Sequence, residues 1–195
     1  MVEIEILHII DKKISDVTFL KKKILELLKI YKVSAIYSTS DFFIPIVSVI
    51  ATELKFNTIN KLSAEIFSNK YLFRKKQKKL NYYTPEFHKF STLEQGKKFI
   101  ESSSRKNWVF KPLKGNESIG VRLISSYKEL EESFKFLKKM SRLNSVLFPL
   151  EYLLEEYIHG DIYSCEFLVD NNQVYILGVM DRIISDPPYF IELGY

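Results

Sequence analysis

The sequence predicts an α/β protein in two parts, on three observations. Residues 2–55 read in the order β-α-β-α, which favours a parallel sheet covered by helices. A strand-loop-strand from Trp108 to Ser125 carries Lys111 beside a glycine-bearing loop. The strands Tyr163–Val169 and Gln173–Asp181, joined by Asp170-Asn171-Asn172, have the form of an antiparallel hairpin.

Each element has a local justification. Residues 2–10 alternate Glu3 and Glu5 with Ile4 and Ile6, the pattern of a half-buried strand. Asp16 or Ser15 can cap a helix whose apolar stripe is Leu20, Ile24, Leu27 and Leu28. Val33 to Tyr37 reads as a short apolar strand. Asp41 to Lys55 reads as a helix, with Pro45 in the first turn, where its missing N–H costs little. The change from α/β order to antiparallel strands places a domain boundary at Asn60–Ser68. Asn69 then caps a helix through Leu80, ended by Asn81 in a left-handed position. Thr84-Pro85 breaks that helix, and Glu86–Phe90 can form the next strand. A helix follows from Thr92 to Ser102. Ser126 and Glu129 make a capping box for a helix with Leu130, Phe134 and Leu137 on one face.

Composition narrows the function. The chain has 195 residues, 46% hydrophobic and 14% aromatic, enough for a core and too apolar for disorder. Its formal net charge of +5 suits anionic ligands without choosing one. Every apolar run is broken by charge before membrane-spanning length, and the N-terminus lacks the pattern of a secretory signal. The single cysteine, Cys165, excludes an internal disulfide and fits a reducing cytoplasm; it is read as a core residue beside Phe167 and Val169. His8, His88 and His159 are too scattered for a zinc site. Lys75, Lys76, Lys78 and Lys79 form a solvated helix face, and no recognised nucleic-acid module accompanies them.

The chemistry concentrates around Lys111. A buried lysine stem at the end of a strand, followed by a loop with Gly115 and Gly120, is suited to a polyphosphate, because loop N–H groups and an ammonium can cradle it. Four pieces recur in order: Asn69-Lys70 through Arg74, Tyr83-Thr-Pro85, the Lys111 loop, and Leu154-Glu-Glu-Tyr-Ile158 followed by Tyr163-Ser-Cys-Glu166. Together with Pro187-Pro-Tyr-Phe-Ile-Glu-Leu-Gly194 this set resembles the ATP-grasp superfamily, and within it the carboxylate–amine ligases that join amino acids.

The resemblance implies roles position by position. Lys70 and Lys111 match the two nucleotide lysines, and Lys114, Gly115, Ser118 and Gly120 belong to a flap over the triphosphate of ATP. Backbone at Glu156 and Ile158 would meet the adenine edge, the Glu155 side chain would accept from its amine, and Glu166 would line the cleft. An acidic ribose ligand is implied just before Tyr163, where this chain has Ile162 with Asp161 beside it. The flap also departs from the pattern at Glu117, where a glycine is usual. The implied layout is a partial α/β domain at 1–60 and a partial ATP-grasp domain at 61–195. The latter comprises a nucleotide lobe and hinge at 61–155 and the start of a second lobe at 156–195.

The Mg²⁺ ligands of such ligases lie beyond the segment matching Pro187–Gly194. The expectation is therefore a fragment truncated at both ends and inactive alone. The complete enzyme would act on small carboxylate and amine substrates such as amino acids. The alternative is a non-catalytic nucleotide-binding subunit, or a decayed remnant whose missing half a complementing chain supplies.

Overall fold

The computed structural model describes residues 11, 13–143, 145, 148–170 (Asp170 by its backbone only) and 173–195. The expected strand at 2–10 and the hairpin residues Asn171 and Asn172 lie outside them. The chain divides into two compact units, Met1–Ser68 and Asn69–Tyr195.

The described part of the first unit is helical. Helix α1 spans Val17–Leu28, and of the two candidate caps Asp16 is the one used, its carboxylate accepting from the Phe19 N–H at 2.8 Å. Helix α2, Ile44–Glu53, has Pro45 in its first turn and buries Val47, Ile50 and Ala51. A third helix, α3 at Lys61–Phe67, occupies the segment expected as a boundary; Asn60 caps it by accepting from Ser63. Val33–Tyr37 forms no strand. An extended segment becomes a strand only when a neighbour takes up its N–H and C=O groups. No such neighbour stands beside it among the described residues.

The second unit is built on a four-stranded antiparallel sheet of order β1-β4-β2-β3: β1 Phe87–Phe90, β2 Trp108–Pro112, β3 Arg122–Ile124 and β4 Tyr152–Glu156. Helix α4 spans Lys70–Lys79, α5 Leu93–Ser102 and α6 Tyr127–Leu143. All three begin as their caps dictate. Asn69 accepts from Tyr71 and Leu72, Thr92 and Gln95 close a reciprocal box, and Ser126 and Glu129 make the same motif before α6. Asn81 follows α4 at φ 57°, the left-handed conformation that asparagine tolerates.

Period-two alternation gives the sheet two different faces. One carries Phe90, Trp108, Phe110, Ile124, Tyr152 and Leu154, packed with Leu130 and Leu137 of α6 and with Phe99 and Ile100 of α5. The other carries Lys111, Leu153 and Glu155, and there α4 lies against the sheet, with Tyr71 edge-on to Phe87 at 5.8 Å. Strands β5 (Tyr163–Asp170) and β6 (Gln173–Asp181) form the expected hairpin, with a bulge at Glu166/Phe167. Its Phe167, Val169, Val174, Ile176 and Val179 are exposed. Cys165 on the same strand is exposed too, not a core residue as the sequence suggested, because no described layer covers that face. Short strands β7 (Ile183–Ile184) and β8 (Glu192–Gly194) close the unit.

His88 stacks on Phe99 with ring centroids 4.3 Å apart, and burial lowers its pKa below the ordinary imidazole value. The unfolded chain therefore binds a proton near pH 6.5 that the folded chain resists. His88 contributes fully above that pH, and its contribution is lost as pH falls. Urea midpoints measured from pH 7.5 to 5 are expected to decline, and His88→Phe to decline less steeply.

Candidate functional site

The site is assembled on the sheet face opposite the aromatic core. Lys111 and Glu155 are diagonal neighbours on paired strands, since Lys111 is opposite Leu153 and Glu155 opposite Val109. The Lys111 ammonium donates to Glu155 Oε1 at 2.7 Å. Arg74, one helical turn after Lys70 on α4, grips the same carboxylate with two bonds: Nε to Oε2 at 2.8 Å and Nη2 to Oε1 at 2.9 Å. Glu155 is only 5% exposed. Burial pushes its carboxyl upward, but Arg74 and Lys111 outweigh that and hold it below the usual carboxylate range.

Lys70 reaches the loop that follows Lys111. Its backbone N–H donates to the Leu113 carbonyl at 3.0 Å and its ammonium to the Gly115 carbonyl at 2.9 Å. The start of α4 and the first residues of the flap are thus held together, which places Lys70, Lys111, Gly115 and Glu155 in one neighbourhood. Lys114 is exposed at the flap's base.

The flap has a defined backbone. Glu117 and Ser118 both lie in the left-handed region, at φ 53° and 55°, inside a turn closed by the Ile119 N–H to the Asn116 carbonyl. Ser118 and Gly120 line a cavity of about 510 Å³ with Phe136 of α6 and Tyr189 to Ile191. A left-handed L-residue costs roughly 1–2 kcal/mol, part of which glycine returns as chain entropy. Glu117→Gly is therefore expected to stabilise the unit by about 1 kcal/mol in thermal melts. Removing that carboxylate from the flap is also expected to strengthen binding of an anion beneath it.

Successive residues of a strand face opposite ways, so Glu155 and Glu156 part company. The Glu156 carboxylate pairs with Arg105 at 2.6 Å and accepts from the Glu86 N–H at 3.0 Å. Its own N–H is committed to the Glu86 carbonyl at 2.8 Å, which leaves only its carbonyl to offer a ligand. Ile158 and Asp161 lie further along, lining a separate cavity of about 490 Å³ with Tyr163, Asp181 and Arg182. Glu166 is exposed on β5. Sequence reasoning missed Arg74. The usable signal was a carboxylate inside a strand of otherwise buried residues, which demands cationic partners, and an arginine on the face of α4 that bears Lys70.

The four-stranded antiparallel sheet carries Lys111 on β2, a loop with Gly115 and Gly120 after it, and Glu155 on β4. The family model described as an ATP-grasp domain matches residues 104–195. The chain is similar to a crystal structure of L-amino acid ligase from Bacillus licheniformis, with 22% identity and a TM-score of 0.76, over 92% of this chain and 43% of that one. The biotin carboxylase domain of 2-oxoglutarate carboxylase from Hydrogenobacter thermophilus, in complex with MgADP, ADP and bicarbonate, is similar at 18% identity and a TM-score of 0.70, over 85% and 38%. N5-carboxyaminoimidazole synthetase from Staphylococcus aureus, complexed with ADP, follows at 16% and 0.62, over 85% and 42%. The chain thus spans less than half the length of these structures. No curated protein matches it.

Among the described residues no group of three or more His, Cys, Asp or Glu could hold a metal ion. No helix among them is long and apolar enough to cross a membrane.

Proposed function

We propose that the second unit binds ATP as part of an ATP-dependent carboxylate–amine ligase. The γ-phosphoryl group passes to a carboxylate oxygen to give an acyl phosphate and ADP. An amine nitrogen then attacks the acyl carbon and expels phosphate, forming an amide; amino acids are the expected substrates. The observation that supports the reading is that the Lys70 ammonium is tied to the loop following Lys111, at Gly115, while the Lys111 ammonium is held by Glu155 on the neighbouring strand. Both ammoniums can meet a triphosphate, and a phosphate oxygen can replace the Gly115 carbonyl as acceptor for Lys70. Preorganised cations of this kind stabilise charge on a transferring phosphoryl group. In this reading Glu155 accepts from the adenine amine, the Glu156 carbonyl and Ile158 N–H make the hinge contacts, Asp161 stands in for the acidic ribose ligand, and Glu166 lines the cleft.

Calorimetry with ATP tests this directly. Wild-type chain is expected to bind, and Lys111→Met to bind about 10- to 100-fold more weakly, the value of one charge-assisted hydrogen bond. Equal affinities for the two proteins would overturn the assignment.

A further inference from the structure

We infer that Arg74 is the positioning residue of this site, setting both the phosphate affinity of Lys111 and the preference for a purine bearing a 6-amino group. The inference rests on the nucleotide reading above and adds a residue that the reading does not use.

Counting charge shows why Arg74 matters. Glu155 and Lys111 by themselves form a neutral pair, in which the carboxylate cancels the ammonium that a phosphate would need. Adding the Arg74 guanidinium makes the cluster net positive by one. The Arg74 and Lys111 side chains are 23% and 16% exposed, so solvent screens this surplus only partly. Arg74 therefore takes over the neutralisation of Glu155 and leaves Lys111 electrostatically available.

Counting acceptor sites gives the second role. An ionised carboxylate has about four lone-pair sites. On Oε1, one is taken by Arg74 Nη2 and one by Lys111; on Oε2, one is taken by Arg74 Nε. The single remaining site lies on Oε2, and it can only accept. A 6-amino group offers a donor there, whereas a 6-oxo group presents a second acceptor and is repelled. The planar fork fixes which oxygen stays open, and a lysine at this position cannot, because its ammonium is a point donor. Arg74 Nη1 is in turn held by Gln77 Oε1 at 2.7 Å, so the guanidinium is oriented from both sides.

The test compares wild type, Arg74→Lys and Arg74→Met for calorimetric affinity towards ATP, ITP and inorganic tripolyphosphate, with a thermal melt of each protein. Arg74→Lys is expected to keep tripolyphosphate affinity within about threefold while the ATP-to-ITP preference falls about tenfold. Arg74→Met is expected to weaken tripolyphosphate as well, by about tenfold. A purely structural arginine would lower the melting temperature and leave the ATP-to-ITP ratio unchanged, and that result overturns the inference while the nucleotide site stands. If Arg74→Met does not fold, Arg74→Lys alone decides through the same ratio. Failure of the wild type to bind either nucleotide would instead overturn the nucleotide reading, and this inference with it.

Discussion

Glu155→Ala is expected to destabilise the second unit by about 3 kcal/mol, the lower end of the range for breaking a buried ion pair. The carboxylate holds two cations at once, Arg74 from α4 and Lys111 from β2. Truncation leaves both facing a hole in a buried layer beside Leu153, which is fully buried. Their partial exposure lets water reach them, which keeps the cost from the upper end. Glu155→Gln, which retains the shape and acceptor oxygen but not the charge, is expected to cost about half as much. Urea midpoints at pH 7 measure both. Because the folded carboxyl is held below its ordinary value, the stabilising contribution is present above about pH 4.3 and is lost as pH falls through the folded value. Glu155→Ala should accordingly flatten the acid limb of the stability profile. A loss under 1 kcal/mol at pH 7 would mean that the triad contributes little to holding α4 on the sheet.

Gly120→Ala is expected to cost about 2–4 kcal/mol, from two independent sources. Gly120 has φ +75°, a conformation that L side chains rarely adopt. A Cβ there would also stand 2.5 Å from Leu137 Cδ2 and 3.0 Å from its Cγ. Leu137 is 1% exposed within the aromatic core and cannot swing aside cheaply. The flap is therefore seated on α6 at this point by the absence of a side chain. Combining Gly120→Ala with Leu137→Ala is expected to cost less than the sum of the singles, because the cavity made by one accommodates the methyl of the other; a double-mutant cycle measures that coupling. Strict additivity would show that the strain is all in the backbone.

The parts legible from the sequence are those written within a turn of chain. Asp16, Asn69, Thr92 and Ser126 each cap a helix by accepting from an N–H two or three residues on; Asn69 and Ser126 were readable as caps, Asp16 as one of two candidates, and Thr92 only as the start of a helix. The strand pairing of Tyr163–Asp170 with Gln173–Asp181 was readable for the same reason, since polar turn residues separate two β-rich runs. Helix α3 was passed over because a short amphipathic segment between two longer ones looks like a connection. Val33–Tyr37 shows the converse: apolar composition promises a strand, but among the described residues no ladder partner stands beside it.

The candidate site divides along the same line. Lys70, Lys111 and the glycines of the flap could be picked out by residue type and order, because a phosphate-binding loop has local composition. The different parts of Glu155 and Glu156 came only from the family resemblance, since residue type and order do not say which face of β4 meets α4. Nor do they show the partnership of Arg74 with Glu155, or of Lys111 with Glu155, which join positions 81 and 44 residues apart. The sequence by itself determined the α/β class, the starts of α1, α4, α5 and α6, and the hairpin. Tertiary structure alone decided which charges meet, because hydrogen-bond register and helix packing bring together groups between which the chain carries no local signal.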